Sequence, residues 1–467
     1  MKKRFLKILP LLCVSPVVAV VIGLACAGGD WPEYGNSAFT PEAFADSSYS
    51  PFFLSDRAYY GIGYDVPADE RFKDANVHEW SQWMKGGLAD SLIEKLLYAS
   101  SPDNVDSLLK ALPINAATRR RPAVAAFISY LPKAKRSERY ASYTVSNWWD
   151  YSENKRAIDT KTAAQMIGEW KAGLAAQKDP FLRQRSVFQL VRAYYFAGDY
   201  PAAVQAFDSN KAQMQTDRMY YRSLSYAAGA LYKQQQYAKA NYYYSLVFAG
   251  CAELRPAAHF SFHPQEEADW KQALAFCKNN AEKATLWQML GISYGDEMRS
   301  IRAISELEPG SDKMDVLLLR WINKFEQSDN FFREPGSNNR SYDTSRWQQL
   351  AFIRSIADAG KTPNAVLWQM GAGYLSMITG DFKDAGERFS RAGKTGSSNP
   401  LFHVQLRLLN LSLKLFTSKT MTATLENACL PDLQWLMALG LSKGDPLGNE
   451  LRYIDLRSKI LQEISAR

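Results

Sequence analysis

The sequence lacks the short motifs that mark the common phosphate-binding and serine-hydrolase sites. It contains no Gly-x-Gly-x-x-Gly loop, no Walker motif and no Gly-x-Ser-x-Gly elbow. Adjacent carboxylates such as Glu266 and Glu267 have the pattern of an ordinary solvated helix face. Enzyme classes that depend on those motifs therefore receive no support, and we expect a non-catalytic protein without a cofactor.

Histidine and cysteine are also scarce, at four and five residues in a chain of 467. His259 and His263 lie four residues apart near Cys251 and Cys277, but this spacing matches no zinc-finger pattern. Buried thiols, a disulfide between Cys251 and Cys277 and a metal site are the three interpretations, and we expect no metal. Cys251, Cys277 and Cys429 are the three cysteines that follow residue 27, and an odd number of cysteines cannot all form disulfides with one another.

The chain has little excess of either charge once its first residues are set aside. Lys2, Lys3, Arg4 and Lys7 supply four of the net +8 charges, and the remaining chain has 52 basic against 48 acidic side chains. A nucleic-acid-binding protein needs a clustered basic face. The composition therefore predicts no nucleic-acid partner.

Those four basic residues precede an apolar run, Ile8–Ala25, and the segment 1–27 is typical of an export signal. Ala25 and Ala27 fit ordinary cleavage before Gly28, whereas Cys26 is a candidate for lipidation. An uncleaved anchor is the third alternative. All three predict a protein in the periplasm or at the outer membrane, with possible membrane attachment through an N-terminal lipid.

Residues 28–75 are rich in aromatic residues, glycine and proline, which indicates an irregular N-terminal arm. A short helix is expected around Pro41–Ala45, with Thr40 as its cap. We expect the arm to pack onto the first helices of the chain. Residues 76–180 then show helical periodicity with almost no strand-type alternation, and they form a predicted N-terminal helical region.

The segment Val187–Asn210 has the pattern of two amphipathic helices joined by a tight turn. Tyr194 lies on the first helix, Gly198 supplies the turn, and Ala203 and Phe207 recur four apart on the second helix. This order of residue types resembles the tetratricopeptide (TPR) repeat, in which a small residue lets paired helices approach closely.

Three further hairpins repeat parts of this pattern. Their signature residues are Ala240 and Tyr244 in the second; Trp287, Gly291, Tyr294 and Ala303 in the third; and Gly380, Ala385 and Phe389 in the fourth. The equivalent small residues are separated by 37, 63 and 82 positions, and only the first separation approaches the family period of about 34 residues. The fold prediction is an all-α, irregular TPR-like α-solenoid. Repeats 1–3 occupy residues 181–327, a surface loop 328–343, and C-terminal helices with the fourth hairpin 344–467.

One set of triplets resembles the signature of penicillin-binding proteins and serine β-lactamases. It comprises Ser107 with Lys110, Ser328-Asp329-Asn330 and Lys394-Thr395-Gly396, in the family's order. In that family the last triplet lies on a strand, whereas here it follows a TPR-like second helix. Coincidence is therefore the favoured interpretation.

The TPR resemblance implies protein interaction, because stacked hairpins present a face that commonly holds peptides or partner helices. We expect a non-catalytic protein-binding or scaffolding module of the bacterial cell envelope, with a protein or peptide partner of unknown identity. The alternative is a glycan- or nutrient-binding outer-membrane lipoprotein similar to the SusD-like family. Exposure of three or more tryptophans on one face would favour sugar binding, the candidates being Trp31, Trp148, Trp149, Trp270 and Trp321.

Overall fold

The structure is a computed structural model that describes residues 39–53, 68–141, 160–328, 344–418 and 420–438. These ranges contain twenty α-helices and no strand, which confirms the all-α prediction. The helices are α1 (Ala68–Trp83), α2 (Asp90–Glu94, extended by a π-helical turn at Lys95–Ala99), α3 (Val105–Lys110), α4 (Ala116–Arg120), α5 (Pro122–Glu138), α6 (Thr160–Ala176), α7 (Pro180–Phe196), α8 (Tyr200–Asn210), α9 (Arg218–Lys233), α10 (Tyr237–Gly250), α11 (Arg255–Ser261), α12 (Glu267–Phe276), α13 (Asn280–Tyr294), α14 (Glu297–Leu307), α15 (Lys313–Ser328), α16 (Thr344–Ala359), α17 (Ala365–Ile378), α18 (Phe382–Thr395), α19 (Pro400–Phe416) and α20 (Ala423–Ala438).

From α5 onward the helices pack mainly as consecutive pairs, each leaning on the next. The pairs α7/α8, α9/α10, α13/α14, α17/α18 and α19/α20 pack closely along their backbones. α5/α6 and α15/α16 meet through side chains, while α6 and α16 pack more closely on α7 and α17. The first helices of neighbouring pairs also touch: α7 contacts α9, and α15 contacts α17. The helices α11 and α12 are inserted after α10 and pack on it, which accounts for the long gap between Ala240 and Ala303. This arrangement confirms the predicted irregular, solenoid-like stack of hairpins.

Three of the hairpins turn on a glycine followed by an aspartate: Gly198-Asp199, Gly295-Asp296 and Gly380-Asp381. The glycines have φ values of 80°, 70° and 87°, in the left-handed region that other residues rarely adopt. Each aspartate side chain accepts a hydrogen bond from the backbone N–H three residues later. The dipeptide therefore ends one helix and caps the next.

The third hairpin differs from the sequence prediction in its register. Ala203 lies four residues after its capping aspartate and is fully buried. Four residues after Asp296 stands Ser300, which is also fully buried, whereas the predicted Ala303 is only half-buried. The close approach is made possible by Gly291, because a Cβ there would lie 2.9 Å from Ser300 Oγ.

The remaining signature residues occupy three environments. Those buried are Phe207, Ala240, Tyr244, Gly291, Ala385 and Phe389; Tyr194 and Trp287 are half-buried; and Gly198, Tyr294 and Gly380 are exposed. Tyr294 ends α13, and its hydroxyl donates to the Pro264 carbonyl at 3.4 Å. The residues that recur on the second helices are therefore the ones that pack between helices.

The predicted boundaries differ in part from the observed elements. α1 begins at Ala68, inside the segment 28–75 predicted as irregular. The signal segment 1–27 with Cys26, the loop 328–343 beyond Ser328, and residues 439–467 lie outside the described residues. Within the described ranges, every helix is too short or too polar to cross a bilayer.

A buried ion-pair cluster joins the N-terminal helices to the stack. Glu79 on α1 lies 2.7 Å from Arg185 on α7 and 2.6 Å from Arg218 on α9, and Arg218 also pairs with Glu253. The Arg185 side chain is only 3% exposed. Because removing one partner would leave a buried charge uncompensated, this cluster fixes how α1 meets the repeats.

The register of the third hairpin can be tested by substitution. Ser300→Leu should lower the free energy of unfolding by about 1–3 kcal/mol, because the larger side chain overpacks the contact with Gly291. Ala303→Leu should change it by less than about 1 kcal/mol. Ser300→Ala should cause no loss, since Ser300 Oγ is buried without a hydrogen-bond partner. Urea unfolding measures all three, and an Ala303 variant more damaging than the Ser300 variant would contradict this register.

Candidate functional site

The surface formed by the first helices of the pairs carries two distinct features. We call it the first-helix face, comprising α5, α7, α9, α13, α15, α17 and α19. At α15, α17 and α19 it is covered by the described irregular part of the arm, residues 39–53. At α5, α7 and α9 it forms an open cleft. The covered part shows what chemistry this face offers to a segment of chain.

Side-chain amides hold the backbone of the arm. Asn323 on α15 donates to the Phe39 carbonyl at 3.0 Å, and Asn364, which caps α17, donates to the Phe44 carbonyl at 3.0 Å. Asn399, which caps α19, donates to the Ala43 carbonyl at 3.1 Å. These bonds contact only backbone atoms of the arm, so they do not depend on which side chains the arm carries.

The arm also inserts aromatic rings between the helices. Phe39 stacks on Tyr374 of α17 at 5.4 Å, and Phe44 meets Phe402 of α19 edge-on at 6.4 Å. Phe39 is fully buried. The first-helix face therefore holds this part of the arm by backbone hydrogen bonds and by aromatic contacts together.

The other end of the arm lies against the middle of the stack. Phe52 packs on Phe248 of α10 at 5.5 Å and on His259 of α11 at 5.1 Å, while Arg320 on α15 donates to the Phe52 carbonyl at 2.6 Å. Burial, together with the charge of Arg320 and His263, lowers the pKa of His259 to about 4. His259 is therefore neutral near pH 7.

Two expectations about the arm are corrected by these contacts. The arm is packed, as expected, but its described part lies on the later repeats and not on the first helices of the chain. Pro41–Ala43 forms a 3₁₀ turn, and the Thr40 side chain makes no capping hydrogen bond. Instead the Thr40 N–H donates to Gln405 Oε1 at 2.8 Å, a partner 365 residues away. The tertiary contact therefore uses the Thr40 backbone, and the Thr40 hydroxyl caps nothing.

The open cleft lies where α5, α7 and α9 run side by side. It encloses about 640 Å³, within the size range typical of ligand-binding pockets. Its aromatic walls include Trp80, Tyr130, Phe188 and Tyr226. Tyr244 and Ser261 border it, on α10 and α11. The end of the arm contacts the same two helices through Phe248 and His259.

Basic side chains dominate the charged groups of the cleft. Arg185, Arg192 and Arg222 line it, and all three act electrostatically on the Tyr130 hydroxyl. Burial raises the pKa of Tyr130, and the three positive charges oppose that rise. Lys135 also lines the cleft and pairs with Glu138 at 2.9 Å. The cleft is therefore a positively charged, aromatic-walled site.

Two buried polar atoms of α7 in this cleft have no hydrogen-bond partner. They are the Gln189 Oε1 acceptor and the Arg192 Nε donor. The Gln189 side chain also forms a hydrogen bond with Tyr130, which opposes the rise that burial causes in the pKa of the Tyr130 hydroxyl. Arg192 donates through its terminal nitrogen to the Ala141 carbonyl. Unsatisfied buried groups cost stability. Eight other buried polar atoms without a partner, Ser300 Oγ among them, lie elsewhere in the described residues, but Gln189 and Arg192 are on one helix and both line the cleft.

Sequence reasoning missed this cleft. Arg185, Gln189 and Arg192 recur at helical spacing within a hairpin whose apolar positions carried the TPR resemblance. Polar residues at such spacing usually mark a solvated helix face. The available signal was that Gln184, Arg185, Ser186 and Gln189 follow one another so closely that some must be buried.

The Cys and His residues singled out in the sequence do not form a ligand-binding cluster. Cys251, Cys277 and Cys429 are free thiols, so Cys251 and Cys277 are not bridged in this structure. His259 Nδ1 lies 3.1 Å from Ser293 Oγ. Among the described residues, no group of three or more His, Cys, Asp or Glu side chains is placed to hold a metal ion.

The triplets that resemble the β-lactamase signature lie in separate parts of the fold. Ser107 and Lys110 are on the short helix α3, which belongs to a core formed by α1–α5. Lys394 and Thr395 end α18, in the larger core of the repeats. Asp329 and Asn330 lie outside the described residues. The last triplet is on a helix end, not on a strand.

The tryptophans proposed as a test of sugar binding are only partly described. Trp270 and Trp321 are buried, at 4% and 8% exposure. Trp31, Trp148 and Trp149 lie outside the described residues. The two that are described therefore serve packing and offer no platform for a sugar.

The neutral His259 predicts a loss of stability in acid. Its pKa of about 4 in the folded chain lies below the ordinary value of 6.5, so the unfolded chain takes up the proton first as the pH falls. The free energy of unfolding should therefore decrease between pH 6.5 and pH 4. His259→Gln should reduce that decrease.

Urea unfolding at pH 7.5 and pH 5 measures this effect. Exposed His403 supplies the control, because His403→Gln makes the same substitution where the side chain is already in contact with solvent. Burial raises the pKa of Asp315 to about 7, so this group also makes stability depend on pH. Its contribution is the same in both variants and is removed by comparing them. Equal pH dependence in the His259 and His403 variants would contradict the prediction.

Comparisons with known proteins add no relative: no family model, no curated protein and no solved structure matches this chain.

Proposed function

We propose that this chain is a non-catalytic, TPR-like protein-binding or scaffolding module of the bacterial cell envelope. Its first-helix face would hold a segment of a partner protein in the open cleft. The observation that carries the proposal is that the same face already holds the described part of the arm, a segment with two 3₁₀ turns and no α-helix or strand, by amide-to-backbone hydrogen bonds and inserted rings. A surface that binds one short segment through its backbone and its aromatic rings offers the same kinds of contact to a segment of another protein.

The envelope location rests on the sequence of residues 1–27. Export, with or without lipidation at Cys26, is proposed from the basic start, the apolar run and the small residues that follow it. A SusD-like glycan-binding function is the competing candidate, but buried Trp270 and Trp321 give it no support.

Mass spectrometry of the mature N-terminus tests the location. From a bacterial host, ordinary cleavage should give a chain that begins at Gly28, whereas lipidation should give a diacyl- or triacyl-modified Cys26. A Cys26→Ala variant should release a lipidated form from the membrane fraction and leave an unlipidated one unchanged. An unprocessed chain recovered in the cytoplasm would overturn the proposed export.

Site-specific photo-crosslinking in cells tests partner binding. A benzophenone amino acid at Tyr226, inside the cleft, should give a discrete adduct with a protein. The same group at Trp347, an exposed aromatic on the second helix α16, should not. Arg192→Gln should remove the Tyr226 adduct. Equal adducts at both positions, or none at Tyr226, would count against the proposal.

A further inference from the structure

We infer that the open cleft binds a short acidic peptide segment, placing a carboxylate at Arg192 and a backbone N–H at Gln189. This inference rests on the proposed protein-binding function and names the chemistry of the segment. It is carried by two unpaired buried atoms, by the distribution of charge around them and by the shape of the cleft.

The two unpaired atoms are complementary to one part of a peptide. Gln189 and Arg192 are three residues apart on α7, so their side chains are neighbours on one helix face. Gln189 Oε1 requires a donor and Arg192 Nε requires an acceptor. An acidic residue offers both, because its backbone N–H donates and its carboxylate accepts. Binding would satisfy groups that the unbound chain leaves unsatisfied.

The charges in the cleft favour an acidic ligand over a neutral one. Arg185 is paired with Glu79, and Lys135 is paired with Glu138. Among the described residues, no carboxylate lies within ion-pair distance of Arg192, whose one protein acceptor is the Ala141 carbonyl. A guanidinium in this position gains most from a carboxylate, which it can bind through two nitrogens.

The walls of the cleft favour a peptide over a small inorganic anion. Tyr130, Tyr195 and Tyr226 line the cleft and are half-buried, so part of each ring is open to a ligand. A ligand that fills the site therefore needs apolar as well as acidic parts. The cleft is bordered by Trp80 of α1 and by Ser261 of α11. A short segment with an aromatic or aliphatic residue next to its acid fits between these borders.

Selection from a library of randomised hexapeptides tests this inference with the full chain. The probes are the displayed hexapeptides, selected on the unsubstituted protein and then synthesised with free and with amidated C-termini. We expect enrichment of aspartate or glutamate next to an aromatic or aliphatic residue. If amidation abolishes binding, the carboxylate is the chain terminus; if it does not, the carboxylate is a side chain.

Three variants separate the role of the two groups from a loss of folding. Arg192→Gln should weaken binding of the selected peptides at least tenfold. Gln189→Glu should do the same while the chain stays folded, because the new carboxylate would pair with Arg192 in place of the ligand. Arg136→Gln is the matched control, since Arg136 is exposed on α5 and does not line the cleft. Thermal unfolding confirms that each variant is folded.

The outcomes distinguish this inference from the proposed function. Neutral or basic selected peptides, or acidic peptides that bind the Gln189→Glu chain unchanged, would overturn the inference. If such peptides still suppress the Tyr226 crosslink, the protein-binding function stands with a different ligand chemistry. If no hexapeptide binds and Tyr226 gives no adduct, both fail. If no hexapeptide is enriched and an acidic oligosaccharide instead suppresses the Tyr226 crosslink, the inference is overturned and the cleft is assigned to a glycan.

Discussion

The arrangement of the later repeats depends on hydrogen bonds to a buried irregular backbone. The two short 3₁₀ turns of the arm satisfy only part of its backbone, and leaving the other carbonyls unpaired in an apolar environment would be costly. Here Asn323, Asn364 and Arg320 supply donors at the Phe39, Phe44 and Phe52 carbonyls. The helices must therefore present these side chains at fixed spacing, and that requirement links α15 and α17 more tightly than ridge-and-groove packing alone.

A second constraint acts within each hairpin. Paired helices approach closely only where one carries a very small side chain, and the chain meets this need in two ways. In the first hairpin Ala203 on the second helix is the small residue. In the third hairpin the small residue is Gly291 on the first helix, and Ser300 on the second helix packs against it. The contact is preserved although the residues that make it have changed helix, which is one reason that the repeats diverge so far in sequence.

These constraints explain how much the sequence could predict. The Gly198-Asp199 turn and the burial of Phe207 follow from local rules, and they sufficed for the all-α, paired-helix fold. The register of the third hairpin did not follow, because it depends on Gly291, which acts through a tertiary contact. The position of the arm could not be predicted from the sequence, since Asn323 lies 284 residues from Phe39. The cleft was missed because Arg192 and Gln189 have the spacing of a solvated face, and only the structure reveals their burial.

The distance along the chain between the arm and its site has a further consequence for folding. Arrays of stacked hairpins ordinarily fold by adding neighbours one at a time, since each unit contacts only the next. Here Thr40, near the beginning, bonds to Gln405 in α19, so a ribosome makes the arm long before the helix that completes its site. Such long-range closure slows folding. It also joins the beginning of the chain to the late units in one cooperative body, in which shortening the polypeptide after α18 would remove the partners of Thr40 and Phe44 as well as create a new end.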